Sequence, residues 1–394
     1  MRCNNHATTC GASVLLLTAT AVLGLLVSGP GAFCEKVNMA ALEKLDPASA
    51  QKADDGALLW YDGVALGVEG KGWADVEHPY HRLPAKAEGV VRAAVWSLST
   101  RSAGVCIRFV TDAESIAVRW TLTSNSLAMN HMPATGVSGV DLYVNDAGTW
   151  RWIGVGRPEK APTNEKTLAS GIPEGPYEFL LYLPLYNGTQ SVQLGIPPEA
   201  ALAKAPPYPP ERAKPILFYG TSIVQGGCAS RPGMVHTSIL SRRLHCPAIN
   251  LGFSGNGTMD PEFGELIAEV DAAAYVLDCL PNMRAEMVTE RVEPFVKALR
   301  KARPETPIVL VENIVYQAGY FLPATREAYE VKNRALRAAY ERLLADGVPG
   351  LHYVPGASLL GNDGEGAVDG THATDLGFQR FADALEPVLR SLLE

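Results

Sequence analysis

The sequence predicts a chain in two parts, an all-β jelly-roll sandwich followed by an α/β domain built on a parallel sheet. Three observations carry this expectation. From Leu58 to about Leu194, short β-branched or aromatic segments follow one another with no long helical period. A proline cluster, Ala205-Pro206-Pro207-Tyr208-Pro209-Pro210, then interrupts the chain. Beyond it, short apolar runs alternate with longer stretches of helical spacing. A length of 394 residues favours two domains, and 47% hydrophobic residues suffice for a sizeable core.

In the first part, residues 92–97, 105–110, 115–122, 140–144, 149–154, 177–182 and 191–196 are expected strands, with partial alternation and turn residues such as Asn145-Asp146 and Asn187-Gly188 between them. Many short strands point to a sandwich of jelly-roll type over residues 57–204. Clustered prolines stiffen the chain and cannot donate to a ladder, so 205–210 reads as the domain join. In the second part, 212–394, strands are expected near 216–219, 247–250, 274–279, 307–311 and 350–354. Helices are expected near 234–244, 261–269, 286–302, 324–345 and 375–393. Alternating β and α implies a parallel sheet covered on both faces. Between Glu327 and Leu344, the apolar Val331, Leu336, Ala339, Tyr340 and Leu343 fall close to one helical face, and Pro387 is expected to kink the last helix.

The N-terminus reads as an export signal occupying residues 1–34. Arg2 precedes an apolar run over 14–27, which is followed by Ser28-Gly29-Pro30-Gly31-Ala32. The run is shorter than the roughly 20 residues of a spanning helix. A secreted or periplasmic chain with no stable membrane span after signal removal is therefore expected. Phe33 before Cys34 makes a poor lipoprotein signal, and residues 35–56 form a polar, alanine-rich lead-in. A net charge of −8 without a basic run argues against nucleic acid as a partner. Cys3 and Cys10 would leave with the signal. The spacing of Cys106, Cys228, Cys246 and Cys279 matches no zinc pattern. A disulfide from Cys228 to Cys246 or Cys279, and buried free thiols, are both open readings.

Four pieces carry the chemistry. The first is 215–227, an apolar strand that breaks into Gly220-Thr221-Ser222 and so leaves a serine just past a strand's carboxyl end. The others are Asn250-Leu251-Gly252-Phe253-Ser254-Gly255-Asn256-Gly257, Leu277-Asp278-Cys279-Leu280-Pro281-Asn282 and Asp369-Gly370-Thr371-His372. A serine after a strand is usually a helix cap. The four blocks in this order instead resemble the SGNH (GDSL-type) hydrolases over roughly residues 57–394. That resemblance implies a flavodoxin-like three-layer α/β/α domain at 212–394. Residues 371–378 resemble the family's last block. Gly139-Val140-Asp141-Leu142-Tyr143 and residues 182–187 resemble the GxDLY-type accessory sandwich that precedes some secreted members.

The resemblance implies Ser222 as nucleophile, His372 as base and Asp369 as the carboxylate that orients it. The backbone N–H of Ser222, with Gly255 and Asn282, would form an oxyanion hole. The chain departs from the family with Thr221 in place of aspartate, and with Leu280-Pro281-Asn282-Met283 where Gly-x-Asn-Asp is usual. Asn256 competes with Asn282, and Asp278 and Asp375 rank below Asp369. His78, His81, His131, His236, His245 and His352 have no comparable setting and read as structural or solvated. No cofactor is implied, since no Gly-rich phosphate loop is followed by lysine and no Gly-x-Gly-x-x-Gly occurs.

The two-domain plan resembles secreted carbohydrate esterases that remove acetyl groups. An acylated carbohydrate or other small ester is the expected substrate, with Trp150, Trp152, Tyr316 and Tyr320 as candidate sugar-stacking residues. A lipid or thioester hydrolase or an acyltransferase would use the same triad. A lapsed, sugar-binding relative would keep the fold alone.

Overall fold

Two antiparallel sheets and one parallel sheet organise residues 37–394, the part of the chain that the computed structural model describes. The proposed signal, with Cys3, Cys10 and Cys34, lies outside the described residues. No described helix is long and apolar enough to cross a membrane.

The β-rich part holds β1 (Gln51–Lys52), β2 (Leu59–Asp62), β3 (Cys106–Thr111), β4 (Ser115–Leu122), β5 (Val140–Asp146), β6 (Thr149–Gly156), β7 (Thr163–Ser170), β8 (Tyr177–Tyr182), β9 (Thr189–Ile196) and β10 (Leu202–Lys204). One sheet runs β1-β2-β9-β4-β7 and the other β10-β3-β8-β5-β6. From β2 onward the chain crosses between the two packed sheets at every step except β5 to β6, which is the jelly-roll arrangement. Its core is filled from both inner faces by residues such as Phe109, Trp120, Phe179 and Leu194, all fully buried. Trp120 can be buried because its indole N–H donates to Ser138 O at 3.0 Å.

One expected strand is a helix. Residues 93–97 of that stretch lie within the helix Ala93–Ser99, with Arg92 as its N-cap, and Val95 and Leu98 are buried three positions apart. The decisive period was helical rather than alternating. With Val91 these side chains enter the same core as Phe253 and Phe263 of the α/β part. The strand β7 was missed for the opposite reason: only Asn164 and Leu168 are buried in it, too few to stand out as alternation. The proline stretch is packed rather than free. Arg108 donates to Pro206 O at 3.0 Å, and its guanidinium lies 3.8 Å from the Tyr208 ring centroid.

The second part is a parallel sheet of β11 (Ile216–Gly220), β12 (Ala248–Gly252), β13 (Ala274–Asp278), β14 (Ile308–Val311) and β15 (Leu351–Val354), in the order β12-β11-β13-β14-β15. Numbered within the domain this is 2-1-3-4-5, the flavodoxin-like order. Alternate residues of β11 divide between the faces. Leu217 and Tyr219 join the core under helices Ala285–Ala302 and Pro323–Ala345. Ile216 and Phe218 join the core under His236–Leu244 and Asp375–Leu393, the latter continuing through Pro387. The order reverses around β11, so the crevice past its carboxyl end is the natural ligand position.

Candidate active site

The serine is placed by a turn that the sequence makes sharp. β11 ends at Gly220, Thr221 is extended, and Ser222 opens the one-turn helix Ser222–Gln225. Thr221 Oγ1 accepts from Ile223 N at 3.3 Å, so the threonine hydroxyl caps this helix where the family carries aspartate. Gly226 closes the turn at φ +108, and the N–H groups of Gly226 and Gly227 and the Tyr186 hydroxyl all donate to Ser222 O. The end of β12 presses against the same turn. A Cβ on Gly252 would come within 2.0 Å of Gln225 N, a contact only glycine permits.

The loop Ala367–Ala373 brings the histidine. Ala367 and Ala373 form an antiparallel bridge, and Val368 N donates to His372 O at 2.7 Å. Asp369 Oδ1 accepts from Thr371 N at 3.0 Å and from His372 N at 2.8 Å. Its Oδ2 lies 2.7 Å from His372 Nδ1, and His372 Nε2 lies 2.8 Å from Ser222 Oγ. Partial burial alone would raise the Asp369 pKa, but the backbone and imidazole bonds outweigh it and hold the carboxyl below its ordinary value. A carboxylate at Nδ1 fixes the proton there and leaves Nε2 to accept from the serine.

The rival residues are committed elsewhere. Asp375 accepts from Ser230 N at 2.9 Å and from Ser230 Oγ at 2.5 Å. Asp278 is fully buried under the turn with neither oxygen hydrogen-bonded, and burial pushes its pKa up to about 7. Asn256 is held at both ends: Oδ1 accepts from Arg92 Nη1 at 2.6 Å and Nδ2 donates to Ser254 O at 2.8 Å. Asn282, past β13, accepts from Gly257 N through Oδ1 at 3.1 Å. That bond leaves its amide N–H groups as the free donors. Gly255 sits at φ +72 with nothing within 4 Å of a Cβ position, so its backbone borders open space.

Of the four aromatic candidates, three are engaged by neighbours. Trp150 packs against Tyr143 and Tyr182, and Trp152 donates to Asp141 Oδ1 at 2.7 Å. Tyr316 donates to Asn313 Oδ1 at 3.3 Å and accepts from Lys332 Nζ at 3.1 Å. Tyr320 is 78% exposed beside Phe321 at 75%. It lines a cleft of about 860 Å³ with Gln317, Arg326, Glu330, Asn362 and Asp363. The cleft adjoins the histidine loop, since Gln317 N donates to Gly370 O at 3.0 Å.

Sequence reasoning missed three neighbours of the site. The His131 and His372 rings meet edge-on, 5.5 Å between centroids. Cys228 is a buried free thiol, raised to about 12 by burial and then by the nearby Asp369 charge. Arg231 donates to Asp141 and Tyr143 of the motif at 139–143. Only this last had a sequence signal, an aspartate and a tyrosine in a recognisable pattern. Cys106, Cys246 and Cys279 are also buried free thiols. His236 is stacked on Phe381, and burial lowers its pKa to about 3, which makes it a core residue.

A serine, a histidine and a carboxylate bonded in series at the carboxyl edge of a 2-1-3-4-5 sheet define a class, the α/β/α serine hydrolases. Residues 213–390 match the model of the GDSL-like lipase/acylhydrolase family, and residues 58–202 match that of the GxDLY N-terminus of SGNH-hydrolase-type esterases. A solved candidate GDSL-like lipase from Bacteroides ovatus ATCC 8483 is 35% identical, with a TM-score of 0.80 over 85% of this chain and 98% of its own. The salicylyl-acyltransferase SsfX3 from a tetracycline biosynthetic pathway is 20% identical, with a TM-score of 0.66 over 87% of this chain and 97% of its own. A family two carbohydrate esterase from Clostridium thermocellum, in complex with cellohexaose, is 14% identical, with a TM-score of 0.50 over 74% and 93%. These last two likenesses are of fold. No protein of curated function matches the chain. The chain belongs to the SGNH/GDSL hydrolase family, with a GxDLY-type N-terminal sandwich.

Proposed function

We propose that this hydrolase is an exported serine esterase that removes small acyl groups, acetyl foremost, from carbohydrate. The observation that carries the reading is the unbroken relay Ser222 Oγ–His372 Nε2–Asp369, with bonds of 2.8 and 2.7 Å. As His372 Nε2 takes the hydroxyl proton, Ser222 Oγ bonds to the ester carbonyl carbon and the carbonyl oxygen becomes an oxyanion. The N–H groups of Ser222, Gly255 and Asn282 face that charge, and Asp369 stabilises the imidazolium. Collapse breaks the bond to the alcohol oxygen, which leaves with the proton from His372. Water, deprotonated by the same nitrogen, then releases the acid from Ser222.

Carbohydrate is favoured by the cleft beside Gly370, whose polar side chains and exposed Tyr320 suit a sugar's hydroxyls and its apolar face. The small acyl group follows the family resemblance, and export follows the N-terminal apolar run.

The test is hydrolysis of p-nitrophenyl acetate against octanoate by wild type and Ser222→Ala, followed by acetate release from acetylated xylan. Acetate-selective turnover lost in the variant supports the proposal. Equal activity in both proteins removes Ser222 from the mechanism. Octanoate preference, or turnover that depends on an added alcohol acceptor, points to a lipid hydrolase or an acyltransferase.

A further inference from the structure

Among the described residues, a single group of three metal-ligating side chains converges: His131, Cys228 and His372, whose ligand atoms all lie within 4.8 Å of one another. They come from three separate segments. His131 sits on the Met129–Met132 turn of the β-rich part, Cys228 follows Gly226-Gly227 after the serine helix, and His372 ends the loop of the relay. Hydrolysis uses only the last of them.

Two further features suit a cation. Each imidazole has its Nδ1 occupied by a side-chain oxygen, Asn130 Oδ1 at 2.8 Å from His131 and Asp369 Oδ2 at 2.7 Å from His372. This leaves both Nε2 atoms as ligands, the arrangement that orients metal-binding histidines. Cys228 holds φ +82, a left-handed conformation in which glycine is the ordinary occupant. A cysteine therefore stands at a position whose backbone favours glycine, and its sulfur is turned toward the two rings.

One thiolate and two imidazoles form a borderline-soft donor set that suits Zn²⁺, with a fourth position open. Zinc–ligand bonds of about 2.0–2.3 Å put tetrahedral ligands ~3.5 Å apart, so a side-chain adjustment of about an ångström closes the trio. We propose that His131, Cys228 and His372 form an inhibitory Zn²⁺ site that switches the esterase off. On binding, the Cys228 thiol loses its proton to solvent as the sulfur–zinc bond forms. The His372 Nε2 lone pair passes to the metal, and its hydrogen bond to Ser222 is broken. As a switch, the site rests on the serine-esterase reading; as a metal site it does not.

The experiment uses the full chain freed of metal by chelation. Zn²⁺ is titrated against p-nitrophenyl acetate hydrolysis, and Co²⁺ is titrated separately while its absorption is recorded. We expect reversible zinc inhibition in wild type, and a thiolate-to-cobalt charge-transfer band in wild type and in Ser222→Ala alike. Cys228→Gly, which suits the local backbone, and His131→Ala should each lose the band and raise the inhibiting zinc concentration at least about tenfold. Absence of the band in wild type, or equal zinc sensitivity in all active variants, would overturn the proposal. A protein that shows the band, loses it in Cys228→Gly and cleaves no ester would sustain the metal site and overturn the esterase reading.

Discussion

Arg231 Nη1 lies 2.7 Å from Asp141 Oδ2, joining the third residue of the 139–143 motif to the loop that follows the serine turn. Asp141 is fully buried, and Gly233 N and Trp152 Nε1 also donate to its carboxylate. The motif is thus a clamp between the sandwich and the catalytic part, which accounts for its aspartate and tyrosine better than any role on substrate. Removing one partner of such a pair strands a buried charge. Asp141→Ala should lower unfolding free energy by about 3 kcal/mol. A urea midpoint within error of wild type would show that Arg231 finds water instead.

Asp369 holds His372 by its backbone and by its ring, so its carboxylate sets both position and tautomer. Asp369→Asn preserves the shape but presents an N–H or a neutral oxygen to Nδ1. We expect kcat to fall by about four orders of magnitude with KM little changed, as when the carboxylate of a triad is neutralised. A loss below tenfold would mean that His372 is oriented by its loop alone.

The parts legible from sequence were those with a strong local period or a motif. The five parallel strands and their helices follow from apolar runs that fill two cores, and 115–122 and 177–182 match β4 and β8. Residues 92–97 misled because two alanines, a valine and a tryptophan suit either state locally. What decides is a core shared with Phe253 and Phe263, more than 150 positions away, which Val95 and Leu98 enter. The convergence of His131 and Cys228 on His372 was hidden for a related reason. Nothing near either residue signals chemistry, and only the tertiary fold brings three segments to one point.

Asn282 spends its Oδ1 on Gly257 N, which leaves its N–H groups as the donors for an oxyanion under the proposed mechanism. Asn282→Ala should lower kcat by about 10²–10³, the usual loss for one oxyanion donor, and affect KM far less. A variant that loses affinity while keeping kcat would place Asn282 on the ground state of the substrate instead.

Asp278 gives a prediction about pH. Buried without a partner, it holds its proton up to about pH 7, whereas an unfolded aspartate ionises near ~3.9. Between those values the folded chain carries one more proton than the unfolded chain, so this group's contribution falls as pH rises. At about 1.4 kcal/mol for each pH unit, the loss is on the order of 4 kcal/mol by pH 8. Asp278→Asn cannot ionise and should remove this slope. Urea midpoints at pH 5 and pH 8 that change in parallel for the two proteins would refute it.

Arg82 is fully buried, and no described carboxylate pairs with it. Its guanidinium donates to four carbonyls: Nε to Arg101 O at 2.8 Å, Nη1 to Asn250 O at 3.0 Å and Gly252 O at 2.8 Å, and Nη2 to Leu98 O at 2.7 Å. The ring of Phe253 lies beneath it, 4.9 Å to the centroid. Burial, then the charge of Arg101, lowers its pKa to about 9, yet at neutral pH it remains a cation neutralised only by backbone dipoles. These bonds tie the 98–101 segment to the end of β12, where the loop carrying Gly255 begins. Arg82→Met fills similar space but leaves carbonyls unpaired at about 1–3 kcal/mol each, so a loss of about 4 kcal/mol is expected. Arg82→Lys keeps the charge without the fork and should fall between the two. In the lysine variant kcat should drop more than KM rises, because the loop carrying Gly255, the proposed oxyanion donor, loses its anchor while the cleft beside Tyr320 is untouched. A lysine variant with wild-type kcat would show that the loop is held by Gln225 and Asn250 without Arg82.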